Sequence, residues 1–181
     1  MANYKGGGGY ASQTKQSKQL DENVKKCAIQ AVKEINKQYM RKLRHISSLS
    51  HPSLGKSKNK QDRKIMPDMG LILDENDKVI FSGDGKRQWT GGNATQRLGD
   101  VLYFLREYIN PNVSFILFGC GYIEKDGPLY NTLLKYHYGG RGGYNEFIPT
   151  KTNVFLKESF TKSEIKNIIK ESLIQHLNLS V

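Results

Sequence analysis

Two apolar runs separated by four polar residues constrain this 181-residue chain more than any other feature. Met69-Gly-Leu-Ile-Leu reads as a strand, Asp74-Glu-Asn-Asp as a turn and Lys78-Val-Ile-Phe-Ser-Gly as the returning strand. A third apolar run, Val113-Ser-Phe-Ile-Leu-Phe-Gly, lacks alternation, as a strand covered on both faces does. Asn153-Val-Phe-Leu is a candidate for one more. Helical periodicity surrounds these runs. Val24, Cys27, Ala28, Ala31, Ile35 and Tyr39 predict a helix over about 22–43, and Leu98, Val101, Leu102, Leu105 and Ile109 predict another from about 94 to 109, stopped by Pro111. Ile165, Ile168, Ile169 and Leu173 predict a last helix over about 164–178, capped by Ser163. The order helix, hairpin, helix, strand, helix predicts a single α/β domain with a mixed sheet flanked by helices. There is no internal repeat, and the Gly- and Tyr-rich stretch 119–148 has no clear assignment.

Charge is distributed unevenly. Lys and Arg outnumber Asp and Glu by 15 to 4 in residues 1–64 and balance them at 13 each in 65–181, so the net charge of +11 lies wholly in the first third. Residues 1–20, rich in Gly, Lys, Gln and Ser, read as a flexible basic arm preceding a domain over 21–181; residues 46–64 read as a long basic loop. A basic segment joined to a neutral domain points to a polyanion, nucleic acid before membrane, since no apolar face accompanies most of the charge. No apolar run reaches the 18 or so residues of a membrane span, and the first residues lack a signal peptide's apolar segment, so a cytoplasmic location is expected. Cys27 and Cys120 form no CxxC pair and read as packing residues. His45 and His51 lack metal-ligand spacing, and phosphate contact is the functional alternative for them.

On a hairpin turned at 74–77, Pro67-Asp68 and Asp84-Gly85-Lys86 return side by side. Asp68 and Asp84 can then share one site, with Lys86 projecting to the same side of its strand as Asp84. Two carboxylates suit a hard cation such as Mg²⁺, which binds through one or two carboxylates together with water and phosphate oxygens. A neighbouring Lys can orient an attacking water, help deprotonate it, or stabilise charge on a phosphate.

The residues that follow narrow this pattern. Met66-Pro-Asp-Met-Gly-Leu-Ile, Val79-Ile-Phe-Ser-Gly-Asp-Gly-Lys-Arg-Gln, Gly92-Asn-Ala-Thr-Gln-Arg and Phe115-Ile-Leu-Phe-Gly occur in order over about 65–121. Together they resemble the type II restriction endonucleases of the PD-(D/E)xK superfamily, in the EcoRI/MunI-like branch. The resemblance implies a restriction-endonuclease-like fold and Mg²⁺-dependent cleavage of double-stranded DNA at a short palindrome, leaving 5′-phosphates, with an AATT-containing core. By the same resemblance Asp68, Asp84 and Lys86 are catalytic; Asp68, Asp84 and the Gly85 carbonyl hold the metal. Asn93, Ala94 and Arg97 read base edges, and Gln88 lies near the DNA. Such chemistry suits these side chains, since Asn bridges adenine N6 and N7 and Arg donates to purine acceptors. A homodimer and a cognate DNA methyltransferase as genetic partner are also implied, with the helix beginning at Ala94 as the subunit contact; Tyr103 and Phe104 are then buried by the partner, the alternative being that they pack within the monomer. The chain departs from the branch at Asp84, where Glu is usual, and at Gln96, where Glu often precedes the recognition Arg.

Outside that stretch, Tyr138-Gly-Gly-Arg-Gly-Gly-Tyr144 reads as a loop that lies on DNA through Arg141. Gly91-Gly92 fits neither GxGxxG nor GxxxxGK[ST], so a nucleotide-phosphate loop is not expected. Trp89 is compatible with core or DNA contact. Two other readings remain open: a DNA-binding protein of the same fold without activity, motivated by Asp84, and a repair nuclease of the same superfamily, which would not need the Gly-Asn-Ala-x-x-Arg segment.

Overall fold

A computed structural model describes residues 7–88, 101, 104–121, 152–157 and 159–180. The chain folds as mixed α/β. Helix α1, Gly7–Tyr39, leads into strand β1, Arg44–Ile46. A short hairpin follows, made of β2, Leu49–Ser50, and β3, Lys64–Ile65, with a 3₁₀ turn at Pro52–Leu54 between them. Strands β4, Leu71–Leu73, and β5, Val79–Gln88, form the next hairpin. After them come a π-helical turn at Leu105–Ile109, strand β6, Ser114–Gly121, strand β7, Thr152–Leu156, and helix α2, Lys162–His176. The five-stranded sheet runs in the order β1-β4-β5-β6-β7. It is antiparallel from β1 to β5 and parallel from β5 to β7, so β5 is the strand at which direction changes.

The expected hairpin is present, with Leu71 opposite Ser82 and Ile72 opposite Phe81, and a bulge before Leu73 meets Val79. Its turn is closed by Asp74, whose carboxylate accepts from the amides of Asn76 and Lys78, both at 2.9 Å. Asp77 takes the left-handed conformation there, at φ 59°. Successive residues of β6 then serve different cores, as a strand covered on both faces must. Ile116, Phe118 and Cys120 join a cluster with Leu20, Val24, Cys27, Ala31 and Ile35 of α1 and Ile165, Ile169 and Leu173 of α2. Phe115 and Leu117 join Ile65, Leu71, Leu73, Phe104 and Leu105 on the opposite face. Both cysteines are buried, in keeping with packing roles.

Several expectations need correction. Helix α1 starts at Gly7, inside the stretch 1–20 expected to be a flexible arm, and stops at Tyr39 rather than 43. Its start is extended because Leu20 is itself buried and seated on the sheet. Its end is set by Met40, at φ 53°, and by Asn36, whose side chain bonds both the amide and the carbonyl of Leu43 at 2.9 Å. Helix α2 is capped by Thr161, not Ser163: Thr161 and Glu164 bond each other's main-chain amides in a capping box, an arrangement worth about 1 kcal/mol. The basic stretch 46–64 is not a plain loop but contains the β2–β3 hairpin. Phe104, expected to be buried by a second subunit, packs within the chain against His51 at 5.6 Å between ring centroids. Tyr103 lies outside the described residues, as do 94–100 of the expected second helix. Among the described residues no helix is long and apolar enough to cross a membrane.

Polar ties lock the sheet edge to its turn. Arg41 bonds Glu75 through Nε and Nη2 of its guanidinium, the Nη2–Oε2 contact being 2.8 Å, and Arg44 bonds Asp77. The hydrogen bonds from Arg41 hold the Glu75 carboxyl at about 2, below its ordinary value. A folded value below the unfolded one contributes stability above about pH 4.3 that is lost as pH falls toward 2. Acid melting over that window is therefore expected to be less steep in Arg41→Gln than in the parent, as thermal denaturation from pH 5 to pH 2 would show.

Candidate functional site

Strand β5 places Asp84 and Lys86 two residues apart and hence on one face of the sheet. That face is opposite α1, because Cβ atoms built on Gly83 and Gly85 would run into Met69 and Leu20 from the α1 side. Across the hairpin, the segment Pro67–Gly70 closes a turn through the Gly70 amide and Pro67 carbonyl at 2.8 Å, and the Met69 amide donates to the Gly83 carbonyl at 3.0 Å. These bonds extend the β4–β5 pairing just far enough to bring Asp68 opposite Asp84 and Gly85.

The three residues expected to act together are in contact. Lys86 Nζ lies 2.6 Å from Asp84 Oδ2 and 3.0 Å from Asp68 Oδ2. The Asp68 amide donates to Asp84 Oδ1 at 2.8 Å, and the Gly85 amide donates to Asp68 Oδ2 at 3.3 Å. Each carboxylate is thus bonded by the main chain of the other's segment and by a shared ammonium. Asp84 is only 4 % exposed, while Asp68 and Lys86 reach the surface.

Electrostatics follow from that burial. Loss of solvent pushes the Asp84 carboxyl up, Lys86 opposes the shift, and the neighbouring Asp68 carboxylate adds to it. Burial alone would lower the Lys86 ammonium, but Asp84 and Asp68 outweigh it and the net shift is upward. A third acid that sequence reasoning missed, Asp21 of α1, joins the group. Burial and then Asp68 raise it to about 6, with Lys86 opposing. The sequence held one faint signal: Asp21 directly follows Leu20 at the margin of the apolar stripe of α1.

The arrangement carries more acid than base, with its carboxylates in reduced dielectric, which is an environment that favours a cation. Among the described residues no three His, Cys, Asp or Glu side chains are grouped closely enough to hold a metal unaided. The donor set fits Mg²⁺ nonetheless, because that ion uses one or two carboxylates and leaves its other positions to water and phosphate.

The other expected site residues are not brought to this centre by what is described. Gln88 belongs to β5 by its backbone. Asn93, Ala94, Arg97, Arg141 and Trp89 lie outside the described residues. The two histidines have structural partners: His45 Nε2 is 2.7 Å from the Met69 carbonyl, and His51 caps the 3₁₀ turn by accepting from Ser53 N at 3.2 Å. The sequence matches no protein-family model, and no curated protein is significantly similar to it.

The glycines beside Asp84 are required by space. A Cβ on Gly83 would sit 2.5 Å from Met69 Cε and 2.7 Å from the Ile116 carbonyl oxygen. The methionine can yield, but the adjoining strand cannot without breaking its pairing. Gly83→Ala is expected to destabilise the fold by about 1–3 kcal/mol, measured by urea unfolding. Gly55→Ala, in open space but at φ 76°, is the comparison for backbone strain without a clash.

Proposed function

We propose that the chain is a Mg²⁺-dependent, site-specific DNA endonuclease of restriction-endonuclease-like fold, in the PD-(D/E)xK superfamily. The observation that carries this reading is the meeting of Asp68, Asp84 and Lys86 at one point on a β-hairpin, two carboxylates bridged by an ammonium. Support also comes from the place of Asp84 and Lys86 on β5 at the change of strand direction, from the basic first third of the chain, and from the Gly92-Asn-Ala-Thr-Gln-Arg97 segment.

Asp68, Asp84 and the Gly85 carbonyl would hold the cation, which supplies charge stabilisation to the phosphodiester being cut and to the water that attacks it. Lys86 Nζ, placed by its two carboxylate contacts, presents N–H donors to a phosphate oxygen or to the water oxygen. Asp21 of α1 adds negative charge beside Asp68, which favours a cation there. Hydrolysis forms a bond from water oxygen to phosphorus and breaks the bond from phosphorus to O3′, leaving a 5′-phosphate and a 3′-hydroxyl. Gln88, Asn93, Ala94, Arg97 and Arg141 are proposed for DNA contact, with an AATT-containing core as the sequence read and a DNA methyltransferase as the genetic partner.

Cutting both strands of a palindrome at symmetric positions is most simply done by two subunits sharing the two-fold axis of the DNA. Tyr108 packs beside the buried Phe104 yet is 47 % exposed, and is the candidate for that contact. Sedimentation on a cleaved site is expected to give two chains per duplex, and one chain per duplex with double-strand cleavage intact excludes the symmetric dimer.

Incubation with a long duplex and Mg²⁺ tests the whole reading. Discrete fragments are expected; a bound but intact duplex points to a DNA-binding protein without activity, and nicking only at branches points to repair. In the same assay Asp68→Ala is expected to abolish cleavage. Metal-free binding should persist or tighten, since a carboxylate that repels phosphate has been removed. Fragments from Asp68→Ala at the parent's rate overturn the assignment.

A further inference from the structure

The segment that leads into Asp68 contains a hairpin and a 3₁₀ turn. Strands β2 and β3 pair Leu49 with Ile65 and Ser50 with Lys64, and beyond them Lys56 and Asp62 form an isolated bridge. The same two residues are joined by an ion pair at 2.5 Å, so the one acid in 49–65 is already engaged. Lys58, Lys60, Arg63 and Lys64 are all exposed and make no ion pair among the described residues. The hairpin is seated on the domain by Leu49, Leu54 and Ile65 in the second core and by His51 against Phe104.

Its root is unusual. Ile65 and Pro67 are buried, yet Met66 between them is 69 % exposed. Its two neighbours hold the backbone on either side. Met66 therefore presents an apolar, polarizable side chain to solvent two residues before Asp68 and two after Lys64. Lys64 is four residues from Asp68, a reach of at most about 14 Å. At a rise of about 3.4 Å per nucleotide along one strand, that is about four nucleotide steps.

We propose that residues 49–66 are a preshaped arm gripping the scissile strand. Lys58, Lys60, Arg63 and Lys64 hold its phosphates, and Met66 is a positioning residue that rests on the sugar and base edge beside the phosphate to be cut. The inference rests on the nuclease reading and extends it to how the strand is placed. Phosphate contacts from such cations fix register without reading sequence. Apolar side chains, Met included, serve as wedges against base steps where a protein must fix or bend DNA locally. An arm already folded gives up less conformational entropy on binding than a free loop.

The test compares the parent with Met66→Ala, Met66→Leu and the triple variant Lys58→Gln, Lys60→Gln, Arg63→Gln. Binding of a fluorescein-labelled duplex of mixed sequence is followed by anisotropy across a salt series without metal, and cleavage is followed at saturating DNA with Mg²⁺. The triple variant is expected to bind more weakly and to lose about 2.7 from the slope of log affinity against log salt. Met66→Ala is expected to keep that slope and lose about tenfold in saturated rate, with Met66→Leu restoring it and melting temperatures unchanged in all three. A triple variant with the parent's slope overturns the arm, and Met66→Ala cleaving at the parent's rate overturns the role of Met66. Loss of binding to anionic lipid vesicles with duplex binding kept makes the arm a membrane surface and also overturns it. A parent that binds through the arm but never cuts leaves the grip standing and removes the nuclease reading; one that binds no duplex removes both.

Discussion

A carboxylate with 4 % of its surface exposed, set in the middle strand of a five-stranded sheet, is the constraint on which the other features of this protein depend. Taking Asp84 out of water costs several kcal/mol unless its oxygens are bonded and its charge is met. Both oxygens are occupied, one by the Asp68 amide and the other by Lys86. That solution dictates geometry well beyond the pair. The chain at Pro67–Gly70 must run alongside β5, and Lys86 must share a face with Asp84. The opposite face must be free of side chains at 83 and 85 so that Met69 and α1 can close over it.

Such an arrangement is an expensive way to stabilise a fold. Replacing a buried ion pair with apolar side chains of similar volume is often neutral or favourable to stability. Here a second and a third carboxylate add to the repulsion, and the shifts of Asp84 and Asp21 are both upward. Perturbed acids grouped around one lysine are characteristic of sites where charge is put to use. The surrounding structure is correspondingly overdetermined: two cores clamp the sheet from either face, and the Arg41–Glu75 and Arg44–Asp77 pairs fix its edge to the β4–β5 turn.

The site was legible in the sequence where it depended on local rules. Asp84 and Lys86 had to share a face because strand side chains alternate. Asp68 had to approach them because a hairpin with its turn at 74–77 has only one way to return. Asp21 was not legible, since it reaches the site through the docking of α1 on β5, and no local pattern marks a helix residue as facing an acid 47 positions further on. Local rules also failed where tertiary contacts overrode composition. Residues 7–20 look like an arm by their Gly, Lys and Gln, yet they continue a helix whose stability is set further along by Leu20, Val24 and Cys27. The cap of α2 moved from Ser163 to Thr161 because Glu164 completes a capping box only with a residue three positions before it.

The sequence by itself determined the elements whose information is local: the hairpin and its turn, the apolar strand β6, the face of α1 that is buried, and the pairing of acid and lysine on β5. Tertiary structure alone decided the order of the strands, the parallel partners of β5 and β6, and the folding of a basic stretch into a hairpin. It also decided that Phe104 is used within the chain, that Met66 stands out between two buried neighbours, and that Asp21 belongs with Asp68. The division has a physical cause. Periodicity and turn chemistry act over a few residues and are written into each segment, whereas burial and charge depend on which distant surfaces meet, and those are fixed only when the sheet and both cores close together.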